Sequence, residues 1–154
     1  MQRMTKILGL CTVLLTGIAV TSPVAADTAP DKAIEYRQQL YQTLGANLTA
    51  IVLNLRQEVA FQENIPTHAD TLAAILPLIK AATEQNTAGQ GSARTQAKPE
   101  IWSDWDTFAR LADESVTAGQ RLAEVAAAGD MQALGQQVQA TAATCRACHD
   151  RFRN

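Results

Sequence analysis

The chain has 154 residues, 47% of them hydrophobic and 18% charged, with a formal net charge of −2. That length fits one domain with an ample core, and so mild a charge disfavours a nucleic-acid surface or a disordered acidic tail. Aromatic residues make up only 5%, while Ala, Leu and Gln fill long stretches, a composition that leans towards helix. Three cysteines, Cys11, Cys145 and Cys148, leave an odd number to be explained.

The first segment removes the odd cysteine. Arg3 and Lys6 form a basic head, Ile7 to Val20 carries no charge, and Ser22-Pro23 breaks the run before Val24-Ala25-Ala26. This pattern is a secretory signal, residues 1–26, with cleavage expected after Ala26. The apolar run is shorter than the roughly twenty residues of a spanning helix, so no membrane anchor is expected after cleavage. Leu10 is too bulky for lipoprotein processing at Cys11. The mature chain then runs over 27–154, is more acidic for the loss of Arg3 and Lys6, and keeps only Cys145 and Cys148.

Four helical stretches follow. The first opens at Pro30 and carries Ile34, Tyr41, Leu48 and Leu55 seven apart, with Leu44 and Ile51 between them, up to a break at Asn64-Ile65-Pro66. The second is expected from Thr67, with Asp70 as a partial capping box, burying Leu72, Ile75, Leu76 and Ile79, with a kink at Pro77. Asn86 to Ile101 has no periodicity and holds Gly89, Gly91, Ser92 and Pro99, a loop long enough to suggest function. The third helix is expected from Ser103, striped by Trp105, Phe108, Ala112, Val116, Leu122 and Val125 up to Gly129. Asp130 caps the fourth, whose stripe is Met131, Leu134, Val138, Ala142, Cys145, Cys148 and Phe152. No window alternates like a strand. The expected fold is all-α, an antiparallel four-helix bundle.

Cys145-Arg146-Ala147-Cys148-His149 has the C-x-x-C-H spacing of a c-type haem attachment site. Residues three apart on a helix share a face, so two thiols can reach two vinyl groups on one porphyrin edge. His149 can then place an imidazole beneath the iron. A redox dithiol normally opens a helix after a strand, and none is expected here. A zinc site needs four ligands, against two cysteines and two histidines in the mature chain. One haem c, covalently attached near the C-terminus, is the favoured reading.

Candidates for the other side of the iron are few. Met131 is on the same helix as His149, roughly 27 Å along its axis, and reads as a core residue. His68 opens the second helix, about 25 Å from the haem end in an up-down bundle. The start of the first helix passes the haem instead, bringing Arg37, Gln38 and Tyr41. Arg37 sits at a seam position, where a propionate could neutralise it, with snorkelling or pairing to Asp31 or Glu35 as the alternative. Tyr41 would lie over the porphyrin, as an axial ligand or as a shield.

Tyr36-Arg37-Gln38 with Tyr41 and Gly45, then Lys98-Pro99-Glu100-Ile101-Trp102-Ser103-Asp104, then Cys145-x-x-Cys148-His149-Asp150 with Arg153, resemble the cytochromes c', class II c-type cytochromes of bacteria. The resemblance spans essentially the whole mature chain. It implies a four-helix bundle, usually a homodimer, with a five-coordinate high-spin haem that binds nitric oxide and carbon monoxide. It aligns Tyr41 with the distal position, where low-spin relatives have methionine. It also implies that Arg37, Gln38, Thr95 and Gln96 contact the haem periphery, and that Arg153 is the basic residue beside the proximal histidine.

The expected function is therefore a periplasmic gas-binding haem protein with His149 as iron ligand and a possible electron-transfer role through an unidentified periplasmic redox partner. The alternative is a six-coordinate low-spin electron-transfer cytochrome of the same class. No acid–base pair accompanies the motif, so an enzyme is not expected.

Overall fold

The computed structural model describes residues 28–154, so the expected signal segment and its cleavage site lie outside the described residues. The described residues form six α-helices: α1 (Pro30–Leu55), α2 (Ile65–Ile75), α3 (Leu78–Thr83), α4 (Glu100–Ser103), α5 (Trp105–Ala128) and α6 (Met131–Phe152). α2 and α3 are one helix broken at Pro77, which has no amide to continue the ladder. Counting that pair as one, α1 packs on α2, α2 on α5, α5 on α6, and α6 returns to α1. The result is the expected four-helix bundle, with α4 a short turn leading into α5. Among the described residues no helix is long and apolar enough to cross a membrane.

Fully buried Ile34, Ile51, Phe108, Leu122 and Leu134 anchor the interior, each contributing roughly 1.5–3 kcal/mol by leaving water. Phe108 meets Phe152 edge-on, with centroids 5.6 Å apart, and this fixes the end of α6 against the beginning of α5. Arg151 pairs with Asp104 at the same junction. Gly119 lets α5 approach the Pro77 break, because a Cβ there would lie 2.2 Å from Leu76 Cδ1.

Several boundaries differ from the expected ones. α1 stops at Leu55, well before Asn64. Gln57 adopts φ 58° and the Gln57 and Glu58 amides donate to the Asn54 and Leu53 carbonyls, a Schellman closure made without glycine. The Phe61 amide then donates to the buried Asn54 side chain at 2.9 Å. A 3₁₀ turn over Gln62–Asn64 feeds α2, which starts at Ile65 rather than Thr67 and has Pro66 in its first turn. α5 starts at Trp105 rather than Ser103, after a break at Asp104 (φ −133°, ψ 51°), and Ile101 belongs to α4 rather than to the loop. Met131 is 39% exposed at the first position of α6, not a core residue, because Met131 and Gln132 face outward and the buried stripe begins only at Leu134.

The α5–α6 corner matches the expectation. Gly129 takes φ 74° and Asp130 accepts hydrogen bonds from the Gln132 and Ala133 amides at 2.9 and 3.0 Å. Replacing Asp130 with Ala leaves both amides unpaired, and chemical denaturation should show a loss of about 1 kcal/mol. An unchanged midpoint would mean that the cap is dispensable.

Candidate functional site

A cavity of about 1010 Å³ lies within the bundle, bordered by α1, the Leu76 break, α5, α6 and the loop after α3. That is at the upper end of the roughly 300–1,000 Å³ usual for small-molecule sites. Every residue expected at the site borders it: Arg37, Gln38 and Tyr41 from α1, Thr95 and Gln96 from the loop, Cys145, Cys148 and His149 from α6, and Arg153 just beyond. Met131 and His68 do not border it, and His68 Nδ1 is 2.9 Å from Asn47 Oδ1.

Cys145 and Cys148 are half-buried free thiols on the cavity side of α6. Burial pushes Cys145 up from its ordinary value, and burial reinforced by Cys145 pushes Cys148 up to about 11. A redox dithiol needs the opposite shift, towards thiolate. His149 borders both cavity and solvent. Lost hydration, and next the charge of Arg153, lower its pKa, which favours the neutral imidazole that a metal requires.

Arg37 is only 3% exposed. Its Nη2 donates to Thr87 Oγ1 at 3.0 Å, and its guanidinium carbon lies 5.5 Å from the centre of the Trp102 ring. Nη1 is buried without a partner, and burial lowers the pKa of the group. Neither alternative partner serves it. Glu35 pairs with Lys32 at 2.6 Å, and the Asp31 carboxylate accepts from the Ser92 and Ala93 amides at 2.7 and 2.8 Å and from the Ser92 hydroxyl at 2.9 Å. An unpaired guanidinium beside a large cavity fits an anionic group such as a haem propionate.

Tyr41 is one turn beyond Arg37 on α1. Burial pushes its phenol up to about 12, with the Thr83 hydroxyl beside it opposing that shift. The phenol therefore keeps its proton across the physiological range.

The loop after α3 is a strap rather than a free segment. Gly91 takes φ 74°, and a Cβ there would lie 2.1 Å from Asp31 Oδ1, so only glycine lets the strand of loop reach α1. Gln38 Nε2 donates to the Arg94 carbonyl at 2.7 Å, and Arg153 Nε donates to Gln96 Oε1 at 2.6 Å. Ala97 and Arg153 form an isolated antiparallel bridge, with the Lys98 amide on the Phe152 carbonyl at 3.0 Å. Arg153 is thus in extended backbone past the end of α6, not one helical turn beyond His149. Gln38 and Gln96 act in the first place on the strap. Thr87, Trp102 and Asp31 were not singled out from the sequence as site residues. Their roles depend on contacts between segments far apart in the chain, for which no local pattern exists.

A helical bundle that presents a C-x-x-C-H segment and an unpaired arginine to one large internal cavity is built to hold a covalently attached haem. The family model described as Cytochrome C' matches residues 32–153. A cytochrome c' of Rhodospirillum rubrum is 34% identical, covering 86% of this chain and 89% of its own. One of Allochromatium vinosum is 32% identical, covering 86% and 87%. Among solved structures, a cytochrome c' with an unusual ligand-controlled dimer dissociation superposes with TM-score 0.77 at 32% identity, covering 83% of this chain and 98% of that one. A nitric oxide complex of a mutant cytochrome c prime from Alcaligenes xylosoxidans has TM-score 0.69 at 26% identity, covering 81% and 96%. The chain belongs to the cytochrome c' family, whose members carry one covalently bound haem c and are haem proteins rather than enzymes of the usual kind.

The strap carries its own test. Hydrogen bonds from Ala93 and then Ser92 hold the Asp31 carboxyl below its ordinary 3.8, so they persist at neutral pH and are lost as pH falls through the lowered value. Asp31→Ala should therefore abolish exchange protection of the Ser92 and Ala93 amides at neutral pH. The wild type should lose it only below about pH 3.8. Equal protection in the variant at neutral pH would show that the carboxylate does not hold the strap.

Proposed function

We propose that this chain is a periplasmic gas-binding haem protein, exported by its first 26 residues and mature from Asp27. Cys145 and Cys148 hold the haem through thioethers, His149 is the iron ligand, and Arg37 receives a propionate on its free Nη1. When bound, the haem supplies an iron centre able to take a small diatomic ligand such as nitric oxide or carbon monoxide. The observation that carries this reading is the grouping of these side chains around one cavity that Met131 and His68 do not reach. No methionine or second histidine of the described residues is there to close the coordination sphere.

The remaining roles follow from the walls of the cavity. Tyr41 presents a neutral, largely buried ring that shields the α1 side, and an incoming ligand must displace it. Arg153, steadied by Gln96, keeps a positive charge next to His149 and favours its neutral form. Gln38, Thr95 and Gln96 close the haem periphery through the strap. A homodimer and an unidentified periplasmic redox partner belong to the same reading. The structural relative with ligand-controlled dimer dissociation supports the first of these.

Removing the shield tests the role of Tyr41. Flash photolysis of the ferrous Tyr41→Ala protein should show carbon monoxide association faster by about tenfold, a barrier change of about 1.4 kcal/mol. An unchanged rate would overturn the shielding role.

A further inference from the structure

Arg37 is held by two groups that carry no charge of their own. Its Nη2 donates to Thr87 Oγ1 at 3.0 Å, and its guanidinium carbon stands 5.5 Å from the centre of the Trp102 ring. A hydroxyl and an indole face orient a guanidinium without neutralising it. A carboxylate in either place would take the charge and leave little for a ligand. The two acids near Arg37 on α1 are engaged elsewhere, Glu35 with Lys32 and Asp31 with the strap.

Both holding groups are themselves fixed. Thr87 is 2% exposed at the start of the strap. It sits in a turn where the Gln90 amide donates to the Thr87 carbonyl at 3.2 Å and the Ala88 amide to Asn86 Oδ1 at 2.9 Å. Trp102, on α4, donates its indole N–H to the Thr83 carbonyl at the end of α3, at 2.9 Å. The guanidinium is therefore held from both ends of the excursion that leaves α3 and returns as α4. Nη1, buried and without a partner, is the donor that these contacts leave over. Neither Thr87 nor Trp102 borders the cavity, whereas Arg37 does, so each can act on a bound group only through Arg37.

We infer that Thr87 and Trp102 are the positioning residues of Arg37: they hold its guanidinium at the cavity wall with its charge uncompensated, so that it takes the charge of a haem propionate. This role rests on the propionate contact proposed above for Arg37 and assigns the residues that set its strength. A cation held beside a propionate offsets part of the negative charge felt at the iron, which raises the reduction potential. A guanidinium free to turn away offsets less of it.

The test uses the holoprotein, read by the propionate-bending band in resonance Raman and by the reduction potential of the iron. Arg37→Gln should shift the band and lower the potential. Thr87→Val removes the hydroxyl at nearly constant volume, and Trp102→Phe keeps a ring with a weaker face for a cation. Each should shift the band in the same direction by a smaller amount and lower the potential, while Thr87→Ser should stay near the wild type in both. Adding Thr87→Val to Arg37→Gln should change neither reading further. A Thr87→Val protein with a lower melting temperature but wild-type band and potential overturns the role of Thr87, and the same result in Trp102→Phe overturns that of Trp102. A further drop in the double variant overturns action through Arg37. An unchanged band and potential in Arg37→Gln overturn the propionate contact itself, and the positioning role falls with it.

Discussion

The structure depends on keeping α1 and α6 apart over one stretch of an otherwise close-packed bundle. Interiors are normally filled to crystal-like density, and here about 1010 Å³ between the helices is shaped for a group other than side chains. The helices nonetheless close tightly at the edge of this space, as where Gly119 admits Leu76 and where Phe108 meets Phe152, with Leu76, Phe108 and Phe152 themselves bordering the cavity. At the cavity, small groups such as Gly45, Ala112 and Ser115 leave room between large apolar side chains such as Leu72, Leu76, Ile79 and Phe108. The mouth is spanned by a strap tied to α1 through Asp31 and Gln38 and to the end of α6 through the Ala97–Arg153 bridge.

Arg37 shows how the cavity and its cofactor depend on each other. A guanidinium in a bundle seam is unfavourable unless something takes its charge. Thr87 and the Trp102 face satisfy part of it, while the nearby carboxylates are engaged elsewhere, Glu35 with Lys32 and Asp31 with the strap. The residual unpaired Nη1 fits a family whose members carry a haem with acidic side chains. Raised thiol pKa values and a depressed His149 point the same way. The α6 side chains stand in the neutral forms from which thioethers and a metal bond are made.

Much of this is legible in the sequence where the signal is local. The C-x-x-C-H spacing, the seven-residue stripe of α1, the Pro77 break and the Gly129-Asp130 corner each mark a feature by a residue type that only that geometry favours. The end of α1 was hidden because Gln57 does the work usually left to glycine. The start of α2 was obscured by the Thr67–Asp70 pattern, which lies inside the helix rather than at its cap. The strap was readable as a long loop, but its attachment to Asp31 was not, since hydrogen bonds across some sixty residues leave no periodicity. The same holds for the partners of Arg37: a carboxylate nearby in sequence looked available, and the fold had already used it.

The central claim is an iron held by His149 on one side and left without a protein ligand on the other, with Tyr41 as a shield. The visible absorption spectrum of the purified holoprotein, recorded oxidised and reduced, tests it most directly. An iron open on the Tyr41 side gives a high-spin spectrum in both states; a low-spin spectrum in both would contradict it.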